Sequence, residues 1–494
     1  MTQVKEQKRA DLFEHARPAR FADVAFLACL VAVGSVLRLY RLETDLWLDE
    51  IVTLVDFVRS PLVEIIHSFP SDNNHPLYSV LAHIATVTLG ESPWALRLPA
   101  ALLGIASIPL LYLVGTTVTS RLEAAAATSI LSVSYHHIWF SQNARGYTLL
   151  LVCALLATWA LIRWLDSGRR LFLLVYAVAI SAGCYAHLSM VLVCVSHAIA
   201  CAIEMLGRGR QSRPGSEPIT LVAAFAGSAL LTVLLYAPML ESMRTTLEGS
   251  AAAESMSETV WAGMAAAFSG LQIGFGSAWV LAAGAAVFGA GAWAYFRQRS
   301  IVALLFLLPA PVVVLASLVM GRPVRPRFAF FAIGFLLLVA IRGANSIGAL
   351  CARFAIRVTP RQGGTILVTA MTIGAIAVSF ASLPYGYRYP KQDYAGAIAF
   401  VEGAKGAADR VAAIGDPGSI PALRYYGKPW QRVDRASQFH EMRAAGGRIW
   451  VVYSFPSSIE STFPGLWPML LECVLVREFE GTVDDGTIGV RRCE

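Results

Sequence analysis

Asp49 and Glu50 stand side by side in Leu46-Trp47-Leu48-Asp49-Glu50, just beyond the first long apolar run of the chain. Ionisable groups beside a bilayer are costly and mark functional sites. A carboxylate ionised at neutral pH can take a proton from an attacking hydroxyl, so Asp49 and Glu50 are the candidate catalytic pair, suited to general-base work. The same pair would also suit the first turn of a helix over Ile51 to Val58, where acids meet the positive end of the helix dipole. A second cluster, Asp72-Asn73-Asn74-His75-Pro76-Leu77-Tyr78, offers Asn74, His75 and Tyr78 for substrate binding. Asn74 or His75 would equally cap a helix that opens at Pro76. A third runs from Tyr135 to Tyr147 and includes His136, His137, Gln142, Asn143, Arg145 and Tyr147. Aromatics alone would make an interfacial belt, but the amides and the arginine add donors suited to a sugar or phosphate, which makes Asn143, Arg145 and Tyr147 binding candidates. A fourth, Gly321 to Phe328, holds Arg322, Arg325 and Arg327. Guanidinium groups grip phosphate through paired donors, although arginines also anchor lipid head groups. Asp49, Glu50, His75, His136 and His137 are all ligand-type residues, so a divalent cation stays open. None has a short-range metal motif, and no other cofactor is called for.

Such groups need elements to hold them, and the composition says which. The chain has 494 residues, 56% hydrophobic and 15% charged, with a mean hydropathy of +0.58. That is a polytopic helical membrane protein, outside the range of soluble domains. The net charge of +7 sits in short gaps between apolar runs and reads as topology; nucleic acid is not implied. A span takes about 20 apolar residues. The first, Ala22 to Tyr40, follows Lys5, Lys8, Arg9, Arg17 and Arg20, which places the N-terminus in the cytoplasm by the positive-inside rule and Asp49-Glu50 outside. No small-residue cleavage site follows, so the run is a retained span. Pro76 to Gly90 is short and contains His83, fitting a helix on the outer surface. Counting it as a crossing would put the basic segments at 166–170, 207–213, 297–299 and 342–361 outside. The remaining runs bring the count to about eleven spans, and the three arginines at 322–327 then lie outside, against the charge rule.

Past Pro384 the long apolar runs stop. Short β-type stretches at Arg410 to Ile414 and Arg448 to Tyr453 alternate with helical patterns at Tyr394 to Gly403 and Ser419 to Tyr426, predicting a small α/β domain. The divisions are a cytoplasmic segment 1–21, a membrane catalytic domain 22–383 with an external loop 41–93, and an external α/β domain 384–494. Among eight cysteines only Cys473 and Cys493 share a polar region, leaving one disulfide open there. Internal repeats, which would favour a transporter, are not found.

Four segments, Leu46-Trp47-Leu48-Asp49-Glu50, Asn74-His75-Pro76-Leu77-Tyr78, Trp94-Ala95-Leu96-Arg97-Leu98-Pro99-Ala100 and Trp139 to Tyr147, resemble in order and spacing the GT-C superfamily of membrane glycosyltransferases. Specifically, they resemble the bacterial family related to protein O-mannosyltransferases and lipid A aminoarabinose transferases. The Arg-rich loop and Pro390-Lys391-Gln392-Asp393-Tyr394 are similar too. Two positions depart from the family pattern: Leu77 where a second proline is common, and Asn143 where an acid often stands. The resemblance implies transfer of a sugar from a polyprenyl-phosphate donor to a hydroxyl on a glycolipid, lipid A, a cell-wall glycan or a protein, at the outer face of a bacterial inner membrane. Asp49 would be the base of an inverting displacement, with Arg322, Arg325 and Arg327 clamping the phosphate. The rivals are a transporter or lipid flippase with an external accessory domain, and an inert scaffold. Transport sites gather polar groups near mid-membrane, whereas these clusters gather at one face.

Overall fold

The computed structural model describes residues 21–71, 73–208, 218–253, 278–319, 326–355, 357–483 and 485–494. Asp72, Arg322, Arg325 and most of the N-terminal basic segment therefore lie outside the described residues.

Helix α1 (Phe21–Leu39) leads into α2 (Leu48–Val52), which continues as a π-helical turn over Thr53–Val58, and then α3 (Leu62–His67) and α4 (Pro76–Leu89). The bundle proper follows: α5 (Pro93–Val118), α6 (Arg121–Val133), α7 (Tyr135–Ser141), α8 (Tyr147–Ser167), α9 (Arg170–Ala186), α10 (Met190–Arg208), α11 (Pro218–Tyr236), α12 (Leu240–Ala253), α13 (Ala278–Gln298), α14 (Ser300–Leu307), α15 (Pro309–Val319), α16 (Ile333–Cys351) and α17 (Pro360–Arg388). Each of the eleven expected spans is helical. By length and apolarity, however, seven described helices can cross a membrane, or eight if α14 and α15, bent by 42°, count as one broken span. Helices α4, α9 and α10 are apolar but shorter, and α6 has only 13 residues; at about 1.5 Å per residue a 17-residue helix such as α9 reaches roughly 25 Å. The expected basic loop at 342–361 is mostly helix, because α16 runs on to Cys351 and carries Arg342 with it.

Large apolar side chains such as Phe21, Leu230 and Trp279 face outward from the spans, as lipid contact requires. Inside, small residues let helices approach. A Cβ at Gly291 would lie 1.9 Å from the Val339 carbonyl, and one at Gly343 would lie 1.8 Å from the Val287 carbonyl, so α13 and α16 touch backbone to backbone. At the end of the bundle remote from Asp49, the buried Glu123 joins α6 to α16 through Arg342 at 3.1 Å and Asn345 at 3.1 Å.

The tail forms the expected α/β unit. After α18 (Tyr394–Ala404), strands β1 (Arg410–Ile414), β2 (Gln431–Val433), β3 (Ile449–Ser454), β4 (Val474–Phe479) and β5 (Ile488–Cys493) build one mixed sheet in the order β2-β1-β3-β5-β4. The first three are parallel, and β5 runs antiparallel to β3 and β4. Strand β3 is buried on both faces, consistent with its unbroken apolar run. Cys473 and Cys493 are disulfide-bonded, closing the β4–β5 end of the sheet. The tail does not hang from the bundle. Leu46, Ile51, Leu54, Tyr78, Leu96 and Ala144 share one hydrophobic core with Tyr394, Ile398, Val411, Trp430 and Trp450, so the segment bearing Asp49 is packed between bundle and tail.

Candidate active site

Trp47 enters α2 in an extended conformation, and the helix starts because Glu50, its third residue, reaches back to the Trp47 amide at 3.4 Å. The capping alternative is thus realised by Glu50. The same carboxylate accepts Arg97 Nε at 2.8 Å and Nη2 at 2.5 Å, the Ala144 amide at 2.8 Å and Lys391 Nζ at 3.4 Å. It is 0% exposed. Burial opposes its charge, but Arg97 and Lys391 overcome that and hold the carboxyl down at about 2. With every lone pair engaged and no solvent path, Glu50 is built to hold the site and not to touch a substrate. Asp49, one residue earlier, is partly exposed, and its Oδ2 meets Arg327 Nη1 at 3.4 Å. The two neighbours therefore divide: Glu50 faces in, Asp49 faces out.

Arg97 spends its remaining donors on the carbonyls of Leu42, Thr44 and Asp45, folding the loop after α1 over Glu50. Lys391 Nζ also donates to the Gln142 carbonyl and lies 5.2 Å from the Trp139 ring centroid. Burial outweighs the pull of Glu50 and lowers its ammonium to about 7. Gln392, fully buried, accepts the Leu48 amide at 3.1 Å and donates to Ser454 Oγ at 2.8 Å and the Gly486 carbonyl at 3.0 Å. Arg97, Lys391 and Gln392 stood among the family-like segments but were not among the expected site residues. An arginine and a lysine next to apolar or aromatic runs were the signal, since such charges persist only when paired.

The other expected residues split into framework and cleft. Tyr78 is buried and donates to the Leu96 carbonyl at 2.7 Å; Asn74 is buried, accepts from Ser79 Oγ at 3.2 Å and lies against the Ser68 carbonyl. Both brace α4. Asn143 accepts Trp47 Nε1 at 3.2 Å, which ties the third cluster to the residues before Asp49, while its Nδ2 is buried without a hydrogen-bond partner. Arg145 donates to the Asn73 carbonyl at 3.0 Å and leaves a buried Nε without a partner. His75 packs on Tyr147 and on His187, with ring centroids 5.6 and 4.9 Å away. Its Nδ1 lies 2.9 Å from the Ala186 carbonyl. Burial, then Arg145, drives its pKa well below the usual histidine value. Gly146 permits this approach: a Cβ there would sit 2.7 Å from the Ala186 carbonyl and 3.1 Å from His75 Nδ1.

His187, absent from the sequence expectations, joins this group from the turn between α9 and α10. Its ring lies 5.6 Å from Tyr147 and 5.8 Å from Phe328, and burial, Arg145 and Arg327 hold its pKa near 3. A histidine alone between two apolar runs was the available signal. Asp49, Arg327, His187, His75 and Arg145 thus share one electrostatic neighbourhood. Asp49, Glu50, His75, His136 and His137 do not form a donor set: His137 is engaged with Arg38 at 2.7 Å and Ser107 at 3.0 Å, and among the described residues no three His, Cys, Asp or Glu side chains group around a metal position.

Residues 73–236 match the family model described as dolichyl-phosphate-mannose-protein mannosyltransferase. The search of curated proteins found no match to this chain. In three dimensions the chain is similar to ArnT from Cupriavidus metallidurans in the apo state, at a TM-score of 0.57 and 13% identity over 95% of this chain and 98% of that one. The chain has the GT-C fold. It is similar, too, to the same ArnT bound to undecaprenyl phosphate, with TM-score 0.54 and 12% identity over 95% and 97% of the two chains. The archaeal oligosaccharyltransferase AglB from Archaeoglobus fulgidus, in complex with an inhibitory peptide and a dolichol-phosphate, gives TM-score 0.56 and 12% identity over 95% and 74%. The relationship expected from the motifs to O-mannosyltransferases and aminoarabinose transferases is borne out. Three of its four segments fall inside or overlap 73–236, while Asp49 lies upstream of the match.

Proposed function

We propose that this GT-C protein transfers a sugar from a polyprenyl-phosphate-sugar donor to a hydroxyl acceptor at the outer face of the membrane. The observation that carries this reading is the contact of Asp49 with Arg327, a partly exposed carboxylate beside a cation, next to a neighbour carboxylate that is fully occupied. In the reaction the acceptor hydroxyl oxygen attacks the anomeric carbon and its proton passes to Asp49. The bond from that carbon to the phosphate oxygen breaks, the electron pair leaves with the polyprenyl phosphate, and the configuration inverts. A general base and cations facing the developing phosphate charge are what such a step requires. Arg327 meets the second need; Arg322 and Arg325, expected to share the clamp, lie outside the described residues. Glu50 is a positioning residue, held by Arg97 and Lys391 so that Leu48 and Asp49 are presented at the start of α2.

The polyprenyl phosphate and dolichol-phosphate bound by two fold neighbours support a lipid-linked donor. The paired cysteines of the tail support an oxidising, extracytoplasmic location for residues 384–494. The test is turnover of polyprenyl-phosphate sugars by the purified chain and its Asp49→Asn variant. Loss of roughly a hundred- to ten-thousand-fold in kcat is expected for removal of a general base, with folding unchanged. Equal turnover by both would refute the assignment.

A further inference from the structure

His75 and His187 are locked in opposite tautomers. Because His75 Nδ1 sits 2.9 Å from a carbonyl oxygen, that of Ala186, it must carry the proton, and the neutral ring then presents a bare Nε2. That Nε2 is buried and has no hydrogen-bond partner. His187 is the reverse: the Ser189 amide donates to its Nδ1 at 3.1 Å, so the proton of the neutral ring is on Nε2. Both Nδ1 atoms are held by the same short backbone segment, Ala186 to Ser189. The rings are tilted by 37° with centroids 4.9 Å apart. Burial first, and then Arg145 and Arg327, bias both rings against a second proton, so the acceptor–donor pattern persists at neutral pH.

We propose that this pair binds one hydroxyl of the transferred sugar, His187 Nε2–H donating to its oxygen and His75 Nε2 accepting its proton. The proposal rests on the donor reading above and adds to it the chemical class recognised at one sugar position. A hydroxyl is both donor and acceptor, as the pair demands. An ionised phosphate oxygen has no proton to give His75, an ammonium has no lone pair for His187, and an N-acetyl nitrogen donates without accepting. Leaving a buried polar group unpaired is what makes such a site reject an analogue that lacks the hydroxyl.

Affinity of the full chain in lipid nanodiscs is measured for undecaprenyl phosphate and for a panel of undecaprenyl-phosphate hexoses and pentoses, with wild type, His187→Phe and His187→Gln. For the best-bound sugar lipid, His187→Phe is expected to lose about ten-fold or more in affinity and to leave undecaprenyl phosphate binding unchanged. His187→Gln, which keeps an N–H donor, should stay within a few-fold of wild type. A single deoxy position on the sugar should weaken wild type but cost His187→Phe nothing further. Equal losses on both lipids, or no loss on either, would overturn the pairing. Wild type that binds undecaprenyl phosphate without preferring any sugar-linked form would overturn it as well, while binding of neither lipid would bring down the donor reading itself.

Discussion

Glu50 and Arg97, 47 residues apart in sequence, form an ion pair closed to solvent, with Nε–Oε1 at 2.8 Å and Nη2–Oε2 at 2.5 Å. Removing one member of such a pair strands the other charge, at a cost of about 3–5 kcal/mol. Glu50→Gln should therefore lower thermal stability in detergent sharply, whereas Asp49→Asn, at a partly exposed carboxylate, should not. The double variant Glu50→Leu/Arg97→Met should recover part of the loss, since a well-packed apolar pair can replace a buried ion pair. Recovery will be incomplete because Arg97 also satisfies the carbonyls of Leu42, Thr44 and Asp45. If Glu50→Gln melts with wild type while losing turnover, Glu50 touches substrate and the division between the two carboxylates fails.

Lys391 gives the site a pH signature. Its folded pKa, about 7, lies below the ordinary lysine value because burial outweighs the attraction of Glu50. Between about 7 and the ordinary value of about 10.4 the unfolded chain binds more protons than the folded one, so this residue makes stability rise with pH across that window. Glu50 acts in another range: its folded pKa of about 2 gives stability that is complete above the unfolded carboxyl value and is lost as pH falls towards 2. Melting temperature measured for wild type and Lys391→Met should diverge in slope between neutral and mildly alkaline pH, with the variant flatter. Parallel slopes would show that Lys391 stays charged throughout.

How far the sequence carried is clearest in particular residues. The tail was legible because its strands are short, apolar and bounded by polar turns, and β1 falls at Arg410–Ile414 as expected. Asp49 was legible as an acid at a membrane edge. That Glu50 would turn inward was not, because adjacent residues on a helix point about 100° apart and only the partner, Arg97, decides which of the two is buried. Span number is harder to read for a related reason: hydropathy registers α9 and α10 as apolar, but bundle interior and lipid look alike to it. Gln392 bonds across 344 residues to Leu48, and His187 meets His75 only after α9 has crossed the bundle. Neither contact leaves a local pattern to read.

Gly146 offers a steric probe of the histidine pair that leaves every polar atom in place. Its φ of −73° is open to any residue, so alanine there acts only through its Cβ, which would press on the Ala186 carbonyl at 2.7 Å and on His75 Nδ1 at 3.1 Å. Gly146→Ala should push the two apart and release the His75 tautomer. Turnover should fall by about ten-fold or more, a size typical of a misplaced binding group, with a stability cost of only about 1–3 kcal/mol. Histidine nitrogen shifts by NMR would report the tautomer directly. Unchanged shifts together with unchanged kcat would mean that the backbone yields instead of the ring.

Gln392 couples the tail to the base. Its Oε1 accepts the Leu48 amide one residue before Asp49, and its Nε2 donates to Ser454 at the end of β3 and to the Gly486 carbonyl. Gln392→Leu keeps the volume but deletes all three bonds, leaving the Leu48 amide to find another partner in a buried place while the Gly486 carbonyl keeps Ser454 Oγ at 3.2 Å. About 1–3 kcal/mol per stranded group is expected, enough to loosen the tail against α2 without unfolding the bundle. Limited proteolysis should then cut nearer the start of α18 than in wild type. In turnover assays kcat should drop more than affinity for undecaprenyl phosphate, because Asp49 loses its register while Arg327 and Arg145 do not. A variant whose donor affinity falls as far as its kcat would instead place Gln392 in the support of the phosphate site.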